Sequence, residues 1–374
     1  MKKHLKILLF MAVMLFSFTA CKPQENKGKS IVIDSENPLN VMRLHSPDNF
    51  GESGKFFQLM DCYEDRIVIR NNVSRDVYFG LADKTTDITV HNLTTGETDF
   101  TYTVEGNDVL VYGALLWENI LYVSEFDIRT NYHNIYSYKN GVKTLIAENI
   151  GNYVSQFGPY YNPLVRTADG VFFEDQRFIG DDFIYRIMKA EADSCSEYYS
   201  MPLSYETAPY GLKTTGDGRM SFIVEDSVTK LRQMYLISEN DVQILDVPVT
   251  AGSLRLCGDD LLCIEKDGEE SFFLKIRDKN GEEKASMSFF GVGDLVPVDS
   301  TSGYVTITTY SQPADNNCYL YRYYYNDGKL LLNPVYNTGS FNMNSFVIQE
   351  DGKLIILQRD YSEGIQNLKL IVIQ

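Results

Sequence analysis

The chain has 374 residues, of which 44% are hydrophobic and 13% aromatic, a hydrophobic fraction normal for a globular protein with a large core. Its formal charge is −17 at pH 7. This acidity opposes binding to nucleic acid or to anionic lipid head groups, so neither is predicted as a partner.

The first 20 residues have the pattern of a secretory signal peptide. A basic start over residues 1–6 precedes an apolar run over 7–16, and small residues follow it. That run is too short for a permanent membrane helix, which needs about 20 apolar residues. The sequence Thr-Ala-Cys at 19–21 resembles a bacterial lipobox, with Phe18 in place of the usual Leu. The resemblance implies cleavage before Cys21 and lipid attachment to it; ordinary cleavage near Ala20 is the alternative.

Residues 22–30 (KPQENKGKS) are polar and predict a flexible tether. Lys22 follows the cysteine where some lipoproteins carry an acidic inner-membrane retention signal, so we predict the outer membrane and leave its face open. The chain therefore divides into a signal peptide (1–20), a lipidated cysteine with its tether (21–30) and a folded body (31–374).

The folded body repeats one unit seven times: an apolar strand, a turn rich in Asp, Glu, Asn and Gly, and a second apolar strand. A period of roughly 40 to 55 residues, filled with strands and turns, is the pattern of a β-propeller. The residues that mark the seven turns are Asp65, Asn119, Asp169, Asp217, Asp259, Ser302 and Asp351.

Each unit is predicted to form a four-stranded antiparallel blade. In the second unit the strands are 109–115, 120–124, 134–138 and 143–148, and Asn140-Gly141 supplies the positive φ angles of a tight hairpin. The last unit has only three strands (341–349, 353–358 and 367–374), so an apolar strand at 30–34 is predicted to complete it and close the ring. The all-β chain thus forms a single propeller. Seven blades are favoured, and six are possible if one blade has been counted twice.

Residues suited to catalysis or metal binding are sparse. His45, His91 and His133 are dispersed, and no Cys/His spacing typical of a metal site occurs. We therefore predict no catalytic residues, metal or cofactor. After Cys21 is set aside, five cysteines remain. Cys257 and Cys263 flank one hairpin turn, where they are either small buried residues or a disulfide.

Binding is better supported than catalysis. If the four strands of each blade are named A to D in chain order, the B–C and D–A connections of a propeller meet at one face. Loops on a rigid scaffold are where function concentrates. Here these connections are rich in Tyr and Arg, which suit sugar stacking, peptide contacts or a protein interface; packing of the loops is the alternative role. The candidate ligand-binding residues are Tyr132, His133, Tyr160, Tyr161, Arg177, Tyr205, Tyr210, Arg232 and Tyr361.

The lipobox, the tether and the repeated Asp-Gly turns resemble the TolB-like and NHL-like propeller lipoproteins of Bacteroidota, across nearly the whole mature chain. The resemblance is one of pattern, without an invariant motif, and those families usually have six blades. We therefore predict a non-catalytic cell-envelope lipoprotein that presents a loop face to an envelope protein or a glycan. The alternatives are a polysaccharide lyase or hydrolase with carboxylates at the channel mouth, and a structural subunit of an outer-membrane complex.

Overall fold

The structure is a computed structural model, and every residue it describes belongs to the compact unit Pro38–Gln374. Cys21, the tether and the strand predicted at 30–34 lie outside the described residues. Within the described part of the chain, no helix is long and apolar enough to cross a membrane. The described residues are 43–44, 55–73, 84–106, 108–151, 162–179, 182–204, 206–215, 218–239, 241–247, 251–267, 271–290, 292–297, 302–308, 318–326, 328–337, 345–348, 352, 354–360 and 367–373.

These residues form seven antiparallel sheets of four strands each, named sheets 1–7. Sheet 1 contains β2 (Lys55–Tyr63), β3 (Arg66–Val73), β4 (Lys84–Asn92) and β5 (Thr98–Thr103). Sheet 2 contains β6 (Val109–Trp117), β7 (Ile120–Asp127), β8 (Tyr132–Lys139) and β9 (Val142–Ile150). Sheet 3 contains β10 (Leu164–Thr167), β11 (Gly170–Ile179), β12 (Asp182–Ala190) and β13 (Cys195–Pro202). Sheet 4 contains β14 (Thr207–Thr214), β15 (Met220–Asp226), β16 (Arg232–Ser238) and β17 (Asp241–Val247).

The remaining three sheets follow the same order. Sheet 5 contains β18 (Ala251–Cys257), β19 (Asp260–Asp267), β20 (Ser271–Arg277) and β21 (Glu283–Phe290). Sheet 6 contains β22 (Val292–Pro297), β23 (Ser302–Thr308), β24 (Cys318–Asn326) and β25 (Lys329–Asn337). Sheet 7 contains β26 (Ser345–Ile348), β27 (Leu354–Asp360), β28 (Asn367–Ile373) and β1 (Arg43–Leu44). In sheets 1–6 the strands are called A to D in chain order.

The predicted four-stranded antiparallel units are confirmed among the described residues, and the A–B turns of sheets 1, 2, 3 and 5 lie where the sequence repeat places them. In the two-residue turns of sheets 1 and 2, Glu64 and Glu118 have φ angles of 53° and 54°. The C–D turn of sheet 2 has Asn140 at 53° and Gly141 at 82°, as expected for the tight hairpin.

In sheet 7 the fourth strand comes from the other end of the described chain. Arg43 pairs with Lys369 and Leu44 with Leu368, so β1 lies antiparallel to β28. The sheets that begin and end the series also share an apolar cluster, in which Ile355 of sheet 7 packs with Leu59 of sheet 1.

The core lies between neighbouring sheets, where alternate residues of each strand meet those of the next sheet. Between sheets 3 and 4, the rings of Tyr185 and Phe222 lie 4.6 Å apart. Cys257 and Cys263 are buried and form no disulfide, so the disulfide alternative is wrong and the small-residue alternative describes them.

In sheets 2 and 4 the first strand is irregular, and a side chain of the preceding sheet bonds to its backbone. The register of β6 shifts between Val111 and Gly113, and the Val111 carbonyl accepts a hydrogen bond from Arg70 of sheet 1. The register of β14 shifts after Tyr210, and the Leu212 N–H donates to Glu174 of sheet 3 at 3.2 Å. Each such bond links two sheets, because an extra residue in a strand leaves its backbone groups without ladder partners.

Two further contacts hold first strands close together. The guanidinium of Arg166 in β10 forms an ion pair with Asp61 of β2 and donates to the Leu116 carbonyl of β6 at 2.9 Å. Position 113 of β6 requires glycine because the side chain of Asn162, at the start of sheet 3, lies close to its backbone. A Cβ at Gly113 would lie 1.8 Å from Asn162 Oδ1. These contacts place the A strands of sheets 1, 2 and 3 side by side.

Candidate functional site

The second strands of sheets 3 and 4 end at the same side of the fold. Glu174 of β11 contacts Leu212 of β14, whereas Gln176, further along β11, donates to the carbonyl of Pro209, nearer the start of β14. The two strands therefore run in opposite directions, and the end of β11 lies beside the start of β14. Thr207 at that start pairs with Asp226 at the end of β15. We call this end the B–C end.

Among the described residues, four large apolar side chains are exposed at the B–C end, and we call them the exposed quartet. Phe178 and Ile179 are 46% and 44% exposed at the end of β11, and Val228 and Leu231 are 67% and 65% exposed in the next sheet's turn. None of the four is among the candidate residues predicted from the sequence, which are Tyr, Arg and His residues of these connections. For Val228 and Leu231, the signal in the sequence is the presence of branched apolar residues inside a polar turn.

The turn that carries Val228 is ordered by its own residues. The Asp226 carboxylate accepts the N–H groups of Val228 and Thr229 at 2.9 and 2.7 Å, and these bonds lower the pKa of Asp226. Lys230 takes a φ of 61° and donates its N–H to the Asp226 carbonyl. Exposure of Val228 is therefore a property of a hydrogen-bonded turn.

Two of the predicted residues meet next to this turn. Tyr210 Oη accepts hydrogen bonds from Arg232 Nη2 and Nε at 2.8 and 3.1 Å and donates to Glu225 at 3.4 Å. Burial is the main cause that raises the pKa of Tyr210, against the opposing effect of Arg232. The three side chains form one connected group behind the turn of sheet 4.

Arg177 forms the corresponding group in sheet 3. Its Nε lies 2.7 Å from the buried carboxylate of Asp175, which Arg186 also contacts. A second nitrogen of Arg177 donates to the carbonyl of Glu148 in sheet 2 at 3.3 Å. Arg177 thus joins two sheets at the B–C end and lies one residue before the exposed quartet.

Tyr132 and His133 begin β8, at the B–C turn of sheet 2, and their side chains differ in exposure. Tyr132 is half-buried, whereas His133 is 1% exposed. The His133 ring bonds to Ser124 through Nδ1 at 2.8 Å and packs on Phe126 at 5.0 Å. The side chain of His133 is therefore closed to solvent at the start of β8.

Four predicted ligand-binding residues lie outside the described part of the chain, as does the predicted lipidation site Cys21. Ligand binding by any of the nine candidates stays a prediction. The four are Tyr160, Tyr161, Tyr205 and Tyr361.

A carboxylate recurs at the sixth residue of strand B in four consecutive sheets. These carboxylates are Glu125, Asp175, Glu225 and Glu265. Each one pairs with basic side chains of its own sheet, and these are Lys143, Arg177 with Arg186, Arg232, and Lys275 with Arg277. Alignment of the units on their A–B turns would have shown the recurrence.

The surroundings of each carboxylate on strand B determine its pKa. Burial opposes ionisation of Glu265, but hydrogen bonds from Arg277, Cys263 and Lys275 prevail and lower its pKa to about 2. Glu174, one residue before Asp175, faces sheet 4 instead. Burial raises its pKa to about 7, against hydrogen bonds from the Leu212 N–H and the Tyr185 hydroxyl. The recurrent carboxylates are thus held in ion pairs, whereas Glu174 is a buried acid between two sheets.

The described residues hold no group of three or more His, Cys, Asp or Glu side chains that could bind a metal ion. At the B–C end they combine exposed apolar side chains with Tyr and Arg side chains held by fixed partners. Such a surface is suited to contact with another molecule.

The chain matches no family model and no curated protein. Among solved structures it is similar to the β-propeller domain of the Trilobed protease from Pyrococcus furiosus, with 11% identity, 85% of this chain and 95% of that chain covered, and a TM-score of 0.50. It is also similar to the RRP9 WD40 repeats (9% identity, 89% and 97% covered, TM-score 0.46). A third similar structure is a prolyl endopeptidase (11% identity, 81% and 53% covered, TM-score 0.46), about half of whose length this chain spans.

These likenesses bear on the fold alone. The first of them, together with seven four-stranded antiparallel sheets among the described residues, identifies the fold as a β-propeller. The sheets are its blades.

Proposed function

We propose that this protein is a non-catalytic, lipid-anchored β-propeller of the cell envelope that binds a partner protein through the B–C end of blades 3 and 4. The observation that carries the proposal is the exposed quartet on two adjacent blades. Exposed apolar groups of this kind, rimmed by polar residues, mark interaction sites.

A protein partner fits this surface better than a glycan does. Val228 and Leu231 offer aliphatic contacts, which suit the apolar centre of a protein interface. Arg177 and Arg232 lie beside them and are held by carboxylates, so a partner would not have to order them on binding. Arg and Tyr are also the residues that contribute most to protein–protein affinity.

The ion pairs of strand B support a non-catalytic function. A general acid or base needs a pKa near the working pH and access to substrate. Asp175 is buried between Arg177 and Arg186, and Glu265 has a pKa of about 2. These carboxylates suit structural roles within the blades.

The location and the finer architecture belong to the same proposal. The lipobox and the polar tether support an anchor at Cys21 in the outer membrane, as in the TolB-like lipoproteins that the pattern resembles. Pairing of β1 with β28, and packing of Ile355 against Leu59, support a ring closed by the N-terminal segment.

The test compares two matched double variants in native membranes after mild crosslinking, with mass spectrometry of the captured proteins. Val228→Asp with Leu231→Asp alters the exposed quartet. Val142→Asp with Leu145→Asp adds the same charge to two exposed apolar residues of β9. We expect the first variant to lose an envelope protein that the unmodified chain and the second variant both capture.

Equal capture by both variants would contradict the proposal. If no protein is captured, and only the first variant loses binding on a glycan array, the partner is a glycan and not a protein. Thermal unfolding of both variants shows whether either substitution affects the fold.

A further inference from the structure

The tripeptide Lys-Asn-Gly occurs twice in the chain, at 139–141 and at 279–281. Each copy lies in a C–D turn, the first in blade 2 and the second in blade 5. An Asn-Gly bond is prone to loss of the side-chain amide, because glycine has no side chain to shield its nitrogen. Since the two tripeptides are identical, a difference between their reactivities in the native protein comes from the fold.

The reaction starts at the backbone of the turn. The glycine nitrogen loses its proton and attacks Cγ of the asparagine, ammonia leaves, and a five-membered succinimide forms. Water then opens the ring at one of its two carbonyl groups, which gives aspartate or isoaspartate. The sum is the gain of water and the loss of ammonia, without a change of oxidation state. In a folded protein the rate depends on how readily the turn opens and on whether the glycine N–H is held by a hydrogen bond.

The turn of blade 2 has few bonds that oppose this reaction. Asn140 and Gly141 are both exposed and lie between the paired residues Lys139 and Val142. Among the described residues, neither the Asn140 side chain nor the Gly141 N–H has a hydrogen-bond partner. A Cβ at Gly141 would meet no atom within 4 Å, so the turn is open to water. Strand β9, which follows it, is the edge strand of its blade.

The turn of blade 5 is held together by Asp278. Its carboxylate accepts the N–H groups of Asn280 and Glu282 at 2.8 and 2.9 Å, and the Asn280 side-chain amide at 3.3 Å. The Gly281 N–H, whose nitrogen is the nucleophile of the reaction, donates to the Asp278 carbonyl at 2.9 Å. Arg277 donates to the Gly281 carbonyl at 2.8 Å. Several of these bonds have to break before Asn280 can react.

We propose that Asn140 is a site of spontaneous deamidation in the folded protein, whereas Asn280 is protected from it. The product at position 140 carries one more negative charge, and its isoaspartate form adds a methylene group to the backbone of a two-residue turn. This turn depends on the positive φ of Asn140, which is 53°. The modification therefore weakens the pairing of β8 with β9 beside the turn. The site is separate from the B–C end, so the proposal does not depend on the function proposed above.

The first experiment compares the two sites within one sample of the full-length chain. The protein is incubated in mildly alkaline buffer, and peptide mass spectrometry follows the conversion of each asparagine to aspartate and isoaspartate. We expect Asn140 to react at least about tenfold faster than Asn280, because one additional hydrogen bond to break is enough for that ratio. In concentrated urea both turns are open, and the two rates are expected to become similar.

The second experiment removes the protecting side chain. We expect Asp278→Ala to raise the rate at Asn280 at least about tenfold and to leave the rate at Asn140 unchanged. The unchanged rate at Asn140 reports, in the same sample, that the fold is kept. The matched control is Asp193→Ala, an exposed aspartate in the C–D turn of blade 3, which is expected to alter neither rate.

The proposal is overturned if Asn140 stays intact in the folded chain for as long as its conversion takes in urea to reach completion many times over. It is also overturned if Asn280 reacts as fast as Asn140 in the folded chain. A rate at Asn280 that Asp278→Ala does not change would contradict the protection assigned to Asp278.

Discussion

Glu174 provides a test of how the interface between blades 3 and 4 responds to pH. Its carboxylate accepts the Leu212 N–H at 3.2 Å and the Tyr185 hydroxyl at 3.3 Å. Glu174→Gln keeps the size and shape of the side chain and mimics the protonated acid, because its amide can accept from Leu212 and donate to Tyr185.

The direction of the effect follows from proton linkage. Burial raises the pKa of Glu174 from 4.5 to about 7, so between these values the folded chain holds a proton that the unfolded chain has released. Stability from this group is therefore fully present below pH 4.5 and falls as the pH rises to about 7. A pKa difference of this size corresponds to about 3 kcal/mol of unfolding free energy.

The assay is urea unfolding of the wild type and of Glu174→Gln between pH 4.5 and 8. We expect equal stability near pH 4.5 and a variant that is more stable by up to about 3 kcal/mol at pH 8. Glu118→Gln, in an exposed turn, serves as the control. Glu265 does not interfere, since its lowered pKa makes its contribution disappear only below pH 4.5, as the pH falls towards 2.

Parallel pH profiles for the wild type and Glu174→Gln would refute this reasoning. They would mean that the carboxylate is solvated in the folded chain or is neutralised by a cation, so that its pKa stays near the ordinary value. A variant that loses stability at every pH would show that the amide cannot replace the acid in its two hydrogen bonds.

Three further predictions follow from contacts between first strands and from the leader sequence. Arg166→Ala leaves the buried carboxylate of Asp61 without its cation and should lower the free energy of unfolding by roughly 3–5 kcal/mol in urea titrations; a loss under about 1 kcal/mol contradicts the ion pair. Gly113→Ala should cost about 1–3 kcal/mol, and adding Asn162→Ser, which shortens the opposing side chain, should recover most of that loss; an additive effect is the contrary result. Cys21→Ala should abolish incorporation of labelled palmitate in cells, and a retained label would show that Cys21 is not the acylated residue.

The sequence was informative where local chemistry determines the backbone. Turns such as Asn140-Gly141 need positive φ angles, which few residues adopt, so they stand out in the chain and reveal the repeat. Strand content and the seven units follow from those turns and from the alternation of apolar residues.

The burial of individual side chains could not be predicted in the same way. His133 is a polar residue beside a turn, and only the packing of Phe126 and the hydroxyl of Ser124 make it an interior residue. The exposed quartet was equally hidden, because apolar residues such as Leu231 are usually assigned to a core. Burial depends on which strands and blades pack against each other, and a single sequence does not state this directly.

The bonds that Arg70 and Glu174 make to the next blade have a consequence for how the chain can be divided. Blade 2 and blade 4 each contain a backbone group whose hydrogen-bond partner lies in the preceding blade, so neither is chemically complete alone. A cut at such a boundary would separate the donor of a hydrogen bond from its acceptor and leave a backbone group without its partner. Circular permutation in a B–C turn, which keeps each blade beside its hydrogen-bond partner, should therefore be tolerated better than removal or transplantation of a single blade.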